Sequence, residues 1–351
     1  MGTWYATRED VMRAVDSKET ARNAGQIDRG LEAASRAIDA LCHRIFYPHV
    51  ATKSFDWPNS QHAAPWRLWL DANELISVSA VSSGGTAIST VDVLLEPNEY
   101  GPPYNRLELS LGSDASFGGG DTHQRDITIT GLYGYRNDET PVGATAEALD
   151  ASETGLDVDG PTSATVGVGS LLRIDDERMT VTGRSMLDTG QNLGGDLDAK
   201  ASTVTVPVAS TAGFAADETV LIDAERMLIV DIAGNNLIVK RAWSGSVLAA
   251  HTTGADVYAS RTLTVRRGAC GTTAASHSLA ADVYRWDPPG PVQTLAIAET
   301  LNMLGLEQAS YSVVLRAGET GGERTRDQRG LQALRNQVYD SYGRKARLRG
   351  V

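Results

Sequence analysis

The stretch from Gln26 to Pro48, QIDRGLEAASRAIDALCHRIFYP, carries the clearest helical pattern of the chain. Its apolar side chains recur at spacings of three and four residues, at Ile27, Leu31, Ala34, Ile38, Leu41 and Ile45. This spacing is typical of a helix with one buried face, and Pro48 would end it because proline lacks a backbone donor. About 20 helical residues make a rod on the order of 30 Å long. We therefore predict a scaffold element rather than a carrier of catalytic groups.

The composition around this helix is that of an ordinary globular protein. The chain has 351 residues, 41% of them hydrophobic and 22% charged, with a net charge of −12. This length favours two domains, because single cores rarely grow beyond about 250 residues. The charged N-terminus and the lack of a long apolar run predict neither an export signal nor a membrane span. The acidic charge disfavours a protein that grips nucleic acid over its general surface.

Helical signals begin and end the chain. Thr7 followed by Asp10 predicts the N-cap of a short helix that runs to Val15. From about 52 to 136, short alternating segments separated by Pro, Gly and Asn predict a small antiparallel sheet. Helical periodicity returns after the Pro-rich joint at 287–291 and again near the C-terminus. We expect these helices to pack together, with the first long helix against the later ones.

The region 144–286 is rich in β-formers and repeats itself. The sequence Ile-Asp-x-Glu-Arg-Met occurs at 174–179 and at 222–227, and 237–258 aligns without gaps on 263–284. The two Ile-Asp-x-Glu-Arg-Met segments are the front halves of the repeat, and both precede the two back halves, 237–258 and 263–284. This order favours one unit nested inside the other, because a tandem repeat would alternate front and back halves. Insertion into an exposed hairpin tip is the tolerated route. We predict one unit at about 200–258 inside a sister unit formed by 150–186 and 261–286.

These signals together predict an α+β fold. Residues 1–143 and 287–351 would form a helical-bundle core with a small antiparallel β-sheet. Residues 144–286 would form an inserted all-β domain made of the two nested repeat units.

The repeat carries paired carboxylates that resemble an acid pair. Because residues i and i+2 of a strand point to one face, Asp175 with Glu177, and Asp223 with Glu225, form a conceivable glycosidase-like pair. The alternative is a turn with an internal Glu–Arg ion pair, and duplication favours it because repeats keep residues that specify the fold. The two repeat histidines fit an imidazole bound to a backbone carbonyl better than a metal site, since no second ligand stands at metal spacing. We predict no catalytic residue, cofactor or metal, and these fold-specifying residues: Asp175, Glu177, Arg178, Asp223, Glu225, Arg226, His251 and His277.

Several segments resemble the head–tail adaptor proteins of long-tailed bacteriophages. They are ATREDVMRAV, IDRGLEAASRAIDALCHRIFYP, TKSFDW, RLWLDANELISVSAV, PPGPVQTLAIAETL and ALRNQVYDSYGRKARL, within 5–140 and 287–348. The order of elements carries the resemblance rather than any single motif. The insert resembles repeat units of phage structural proteins with an RG-x-x-GT-x-x-x-x-H pattern, which Arg267 to His277 fit. The sister unit departs from it, with Ala242 and Ser246 where Gly and Thr would stand.

The resemblance implies a structural virion protein and no enzyme. Adaptors of this kind form a homo-oligomeric ring, commonly of about twelve subunits, at the portal vertex of the capsid. The ring, assembled in the host cytoplasm, would dock on the portal protein as a connector and extend the DNA channel. It would also offer a platform to a head-closure (stopper) or tail-terminator protein. Double-stranded DNA would pass without specific binding, since a lining of Lys and Arg would hold it.

Two sets of charged residues are candidate contacts of such a ring. The polar face of the long helix offers a subunit interface, with Arg29, Glu32, Arg36 and Asp39. Residues 323–351 hold eight basic and three acidic residues, and the basic end would contact the portal through Arg344, Lys345, Arg347 and Arg349. A solvated helix end and a contact with passing nucleic acid stay open as alternatives for that end.

Two other classes of function remain open. A tail or baseplate protein would use the β-insert to bind a host surface carbohydrate, and exposed aromatic clusters in the insert would support it. A cytoplasmic enzyme would need a cleft with convergent polar groups.

Overall fold

Strands dominate the structure, a computed structural model that describes residues 2–15, 21–57, 64–308 and 328–345. Strands make up 36% of it and helices 24%, in three sheets and five helices among the described residues. The prediction of a helical-bundle core is therefore wrong. The reason is that alternating segments fill most of 49–286, so most buried apolar side chains belong to sheets. Two predicted contact residues, Arg347 and Arg349, lie outside the described residues.

The helices and strands are numbered in chain order. The helices are α1 Arg8–Val15, α2 Ala21–Cys42, α3 Gly160–Thr165, α4 Gly290–Gln308 and α5 Gln328–Tyr342. The strands up to the repeat region are β1 His49–Phe55, β2 Arg67–Trp69, β3 Leu75–Ser83, β4 Thr86–Ile88, β5 Val93–Glu96, β6 Arg106–Leu109, β7 Ile127–Tyr133 and β8 Glu139–Ala144. The remaining strands are β9 Gly155–Asp157, β10 Leu171–Ile174, β11 Glu177–Asn192, β12 Thr205–Pro207, β13 Thr219–Ile222, β14 Glu225–Ala233, β15 Asn236–Lys240, β16 Asp256–Arg266 and β17 Asp282–Trp286.

The ends of the first two helices follow from local chemistry. At the start of α1 the Thr7 N–H donates to Asp10 Oδ2 (2.9 Å) and the Asp10 N–H donates to Thr7 Oγ1 (3.1 Å), which confirms the predicted cap. Helix α2 ends at Cys42 instead of running on to Pro48, because His43 has a left-handed φ of 53° and the Arg44 N–H turns back to the Asp39 carbonyl.

The chain forms two compact units. The first comprises Met1–Ile38, Glu139–Ala269 and Thr273–Val338, and the second comprises Asp39–Asp138, Cys270–Thr272 and Tyr339–Val351.

A ten-stranded antiparallel sheet organises the first unit. Its order is β12-β15-β14-β13-β16-β11-β10-β17-β8, and β9 pairs with β16 at the side. The long strands β11 and β16, of 16 and 11 residues, run alongside each other through three register shifts. One buried apolar core draws on 142–181 and 263–283, and another draws on 193–259. The nesting of the two repeat units in evolution stays a prediction.

Helices of the first unit pack closely. The buried stripe of α2 contains Ile27, Leu31, Ala34 and Ile38, all at most 5% exposed. Gly30 lets α2 approach α4, since a Cβ at this position would lie 2.9 Å from a methyl of Thr300. The expected packing of α2 against a later helix is thus confirmed for α4. Among the described helices, none combines the length and apolar character needed to cross a membrane.

Two small antiparallel sheets form the second unit. Their orders are β1-β7-β3-β4 and β2-β6-β5. Strand β7 alternates buried and half-buried residues, with Ile127, Ile129 and Tyr133 fully buried, as the alternation of the sequence predicts. Strand β5 stands at the edge of the three-stranded sheet.

Candidate functional site

Two equivalent polar clusters occupy the repeat units, and each begins at a tight hairpin turn. The turns join β10 to β11 and β13 to β14, where Ile174 pairs with Glu177 and Ile222 pairs with Glu225. The aspartate that opens each turn has a left-handed φ, 49° at Asp175 and 51° at position 223. Aspartate tolerates this conformation better than most residues. The turn therefore places a glutamate at the first position of the returning strand, where its side chain is buried.

In the cluster of the inner repeat unit, the Glu225 carboxylate accepts five hydrogen bonds. Its Oε1 accepts from Arg241 Nε (2.7 Å) and from the Ala242 N–H (2.8 Å). Its Oε2 accepts from Arg241 Nη2 (2.7 Å), the Ala249 N–H (3.0 Å) and His251 Nε2 (3.0 Å). The Glu225 side chain is 0% exposed and that of Arg241 is 1% exposed. The carboxylate and the guanidinium thus form a buried bidentate ion pair.

The histidine of the cluster lies between two carboxylates. His251 Nδ1 is 2.7 Å from Asp223 Oδ2, while Nε2 faces Glu225. A protonated imidazole donates at both nitrogens, so the ring can bridge the two acids. The prediction of a bond from the ring to a backbone carbonyl is wrong for this reason. The backbone of His251 instead exchanges two bonds of 2.9 Å with Leu197.

The sister cluster repeats this geometry. Glu177 Oε1 accepts from Arg267 Nε (2.8 Å) and the Gly268 N–H (2.9 Å). Its Oε2 accepts from Arg267 Nη2 (2.8 Å), the Ala275 N–H (2.9 Å) and His277 Nε2 (3.0 Å). His277 Nδ1 lies 2.8 Å from the Asp175 carboxylate. The duplicated sequence therefore encodes a duplicated network, down to the individual donor atoms.

The electrostatics of the two glutamates favour a structural role. Burial raises the pKa of each carboxyl, but the bonds from the arginine, the two backbone N–H groups and the histidine outweigh it, and the pKa of Glu177 and of Glu225 falls to about 2. A general acid needs the opposite shift. Each carboxylate is ionised, and both of its oxygens accept hydrogen bonds from groups of the protein itself.

The ion pair does not involve the arginine next to the glutamate. Glu225 pairs with Arg241 and Glu177 pairs with Arg267, whereas Arg178 has its Nη2 3.4 Å from Glu139. The sequence held a signal for this, because Arg241 and Arg267 occupy identical positions of the internal alignment.

Each arginine also ties several chain segments together. Arg241 donates to the carbonyls of Thr203 (3.1 Å) and Ala249 (2.6 Å), and Arg267 donates to those of Asp150 (2.6 Å) and Glu153 (2.8 Å). Each cluster therefore holds loops of its repeat unit to the buried ion pair through hydrogen bonds to their carbonyls. Within the described part of the chain, no group of three or more His, Cys, Asp or Glu is arranged to hold a metal ion.

The candidate interface residues of α2 make contacts within their own chain. Glu32 accepts from the Trp4 indole N–H (2.6 Å), and Arg36 donates to the Thr3 carbonyl (2.7 Å). Arg29 pairs with Glu307 (2.9 Å), although its side chain stays 65% exposed. Asp39 belongs to the other compact unit. A role of these residues between subunits stays a prediction, and Arg29 is the most accessible of the first three.

The described basic residues at the C-terminal end lie in the second unit. Arg344 donates to the Ala72 carbonyl (3.0 Å) and lies 3.4 Å from Glu74. Lys345 has its Nζ 4.3 Å from the ring centre of Tyr339. Their contact with a portal protein stays a prediction.

Sequence reasoning missed a cleft in the first unit, because distant segments contribute to it. Helix α1 forms one side, strand β11 and the inner repeat unit form the other, and the cleft has a volume of about 140 Å³. Four arginines and two carboxylates line it: Arg8, Arg13, Arg184, Arg226, Glu9 and Asp217. Burial lowers the pKa of Arg184 and raises that of Glu9. Arg8 is paired with Asp28, and Arg184 lies 3.7 Å from Glu9, so the lining keeps a small excess of positive charge from Arg13 and Arg226 against Asp217.

The aromatic residues of the insert do not form a shared platform. Phe214, Trp243 and Tyr284 each lie beneath a different cation, at 4.3 to 5.1 Å from the ring centre. This dispersal gives no support to carbohydrate binding by the insert.

Comparison of the chain with protein-family models, with curated proteins and with solved structures finds no match.

Proposed function

We propose that copies of this chain assemble into the adaptor ring of a phage head-to-tail connector. The ring would dock on the portal protein, extend the DNA channel and offer a platform to the next head-completion or tail protein. The resemblance of the segments around α1, α2 and α4 to head–tail adaptors supports the proposal. The observation that carries it is an exposed apolar sheet edge in the second unit.

This edge is built by β5 and the residues around it. Leu94 on β5 is 48% exposed, and Val91, Tyr100 and Leu111 are 77 to 83% exposed. An edge strand with apolar neighbours invites pairing with another chain, and soluble monomers usually blunt such edges. Burial between subunits would remove both the apolar side chains and the edge from water.

The repeat units support a structural role in a different way. Their buried glutamates are ionised, fully bonded and clamped to arginine, which stiffens each unit and leaves the carboxylates engaged. The net charge of −12 suits a channel wall along which DNA slides without being held.

Size-exclusion chromatography with light scattering, followed by negative-stain imaging, tests the proposal on the full chain. We expect rings, either from the protein alone or after mixing with the portal protein. Leu94→Lys should abolish the rings and keep the fold. Leu279→Lys is the matched control, because Leu279 is 62% exposed but lies in the first compact unit and outside the lining of the cleft. A small closed dimer, or a monomer that does not assemble on the portal, would contradict the adaptor function.

A further inference from the structure

Two turns of the repeat share one backbone conformation. Residues 242–247 and their repeat equivalents 268–273 follow the buried arginine of each cluster. Their left-handed φ angles agree within a few degrees: 54° at Ala242 and 58° at Gly268, 51° at Ser244 and 54° at Cys270, 76° at Gly245 and 80° at Gly271. The backbone of the inner turn, 242–247, therefore has the same shape as that of the outer turn, 268–273.

The outer turn shows what this shape fits. A Cβ added at Gly271 would collide with the carbonyl oxygen of Val50, which lies on β1. Strand β1 stands at the edge of the four-stranded sheet of the second unit. The glycine of the turn therefore lies directly against the backbone of an edge strand.

The inner turn has more apolar side chains than its equivalent. Trp243 and Val247 stand where the outer turn has Ala269 and Thr273, and Val247 is 79% exposed. On a turn that contacts only water, these larger apolar side chains would add no stability. Larger apolar side chains on an exposed turn indicate a surface that another chain covers.

The cleft beside the inner turn indicates the charge of that chain. Trp243 and Ser244 line the cleft together with Arg13 of α1 and Arg226 of β14. Because the lining keeps a net positive charge after Arg8 pairs with Asp28 and Arg184 with Glu9, the cleft favours a segment that is both acidic and apolar.

The protein itself contains such a segment at the edge described above. Residues 89–100, STVDVLLEPNEY, include β5 and hold three acidic residues and no basic one. Glu99 is exposed, as are the apolar residues Val91, Leu94 and Tyr100. This segment combines an edge strand, exposed apolar side chains and negative charge, the three features that the turn and the cleft favour.

We infer that successive subunits join through a heterologous contact, in which the β5 edge of one copy docks in the cleft and against the inner turn of the next copy. This inference rests on the proposed ring. Two different surfaces that bind each other generate a ring when the rotation closes, whereas a self-complementary patch stops at a dimer. The contact would bury the exposed side chains of both surfaces at once.

A charge-swap experiment on the full chain tests this contact. Arg13→Glu and Glu99→Arg should each weaken self-association at least about tenfold, because each opposes like charges across the contact. The double variant should restore assembly towards the wild-type level. Asp121→Arg is the control, since it makes the same charge change at an exposed carboxylate outside 89–100 and should assemble normally. Circular dichroism checks that each variant is folded.

The outcomes separate the interface from the ring. If both single variants form rings like the wild type, the inferred contact is wrong and the adaptor function stands. If both lose assembly and the double variant does not regain it, the two charges do not face each other and the contact is again wrong. A wild-type chain that forms no oligomer, alone or on the portal, overturns both the contact and the adaptor function.

Discussion

Replacing Glu225 by glutamine tests how much the fold depends on the repeat clusters. Glu225→Gln keeps the size of the side chain and removes its charge. The new amide nitrogen cannot accept a hydrogen bond, so at least two of the five donors around the side chain lose their acceptor. Arg241 keeps its charge and stays 1% exposed, without the carboxylate that neutralises it.

Two independent estimates give the size of the loss. Removing one partner of a buried ion pair typically costs about 3 to 5 kcal/mol. The pKa of Glu225 falls from 4.5 in its ordinary state to about 2 in the fold, and each pKa unit corresponds to about 1.4 kcal/mol, which gives about 3 kcal/mol. We therefore expect Glu225→Gln to lower the free energy of unfolding by about 3 kcal/mol at neutral pH.

The same shift predicts how this difference depends on pH. Because the carboxyl of Glu225 has a lower pKa folded than unfolded, its stabilisation is fully present above the unfolded pKa of 4.5. It is lost as the pH falls towards the folded pKa of about 2. The difference between wild type and Glu225→Gln should therefore shrink across this window. Glu177 has equivalent partners and a pKa that also falls to about 2, so Glu177→Gln should show the same dependence on pH.

Urea denaturation at neutral and acidic pH measures the global loss. Hydrogen exchange measures the local loss at the Ala242 and Ala249 amides, which donate to Glu225 and should exchange faster in the variant. Asp223→Asn is the matched control. The Asp223 side chain is 62% exposed, so losing its contact with His251 should cost less than about 1 kcal/mol. If Glu225→Gln and Asp223→Asn lose equally little free energy of unfolding, and exchange at the two amides is unchanged, the buried ion pair of Glu225 does not stabilise the fold as argued.

Two glycine comparisons test close packing. Gly271→Ala should destabilise the protein more than Gly254→Ala, by urea denaturation, because both have positive φ (80° and 90°) but only the first would drive its Cβ into a backbone carbonyl of β1. In α2, Gly25→Ala should stabilise by about 0.5 to 1 kcal/mol, since nothing lies within 4 Å of the added Cβ. Gly30→Ala should not be stabilising, because its Cβ would lie 2.9 Å from a buried methyl of α4. An equal rise in the free energy of unfolding in Gly25→Ala and Gly30→Ala would contradict the close approach of the two helices.

Local signals in the sequence predicted much of the secondary structure. The Thr7 and Asp10 pair predicted the start of α1, and spacings of three and four predicted the buried face of α2 as far as Ile38. Of the last two residues of the predicted stripe, Leu41 is half-buried, and Ile45 lies beyond the end of the helix and is 40% exposed. Alternation predicted β7, and internal identity predicted two related units. These features depend on residues a few positions apart, so periodicity and turn chemistry determine them.

The prediction that helices form the core was wrong, because the elements that share a core are determined by contacts between residues far apart in the sequence. Helices at both chain ends suggested a helical core, but the sheets bury more of the apolar side chains. Sequence periodicity describes which face of an element is apolar, and it does not say which elements share a core.

The sequence by itself determined that the repeat exists, and it predicted a role in the fold rather than in catalysis, since two identical active sites so close together were not expected. Only the tertiary structure decided how the repeat works. It brought Arg241 to Glu225 and Arg267 to Glu177 across 16 and 90 residues, and it turned both histidines towards carboxylates instead of backbone carbonyls. It also brought the arginines of α1 and of the inner unit to one cleft. The physical reason is that a buried charge must meet its partner in space, and β-sheet register, which depends on distant strands, determines which partner that is.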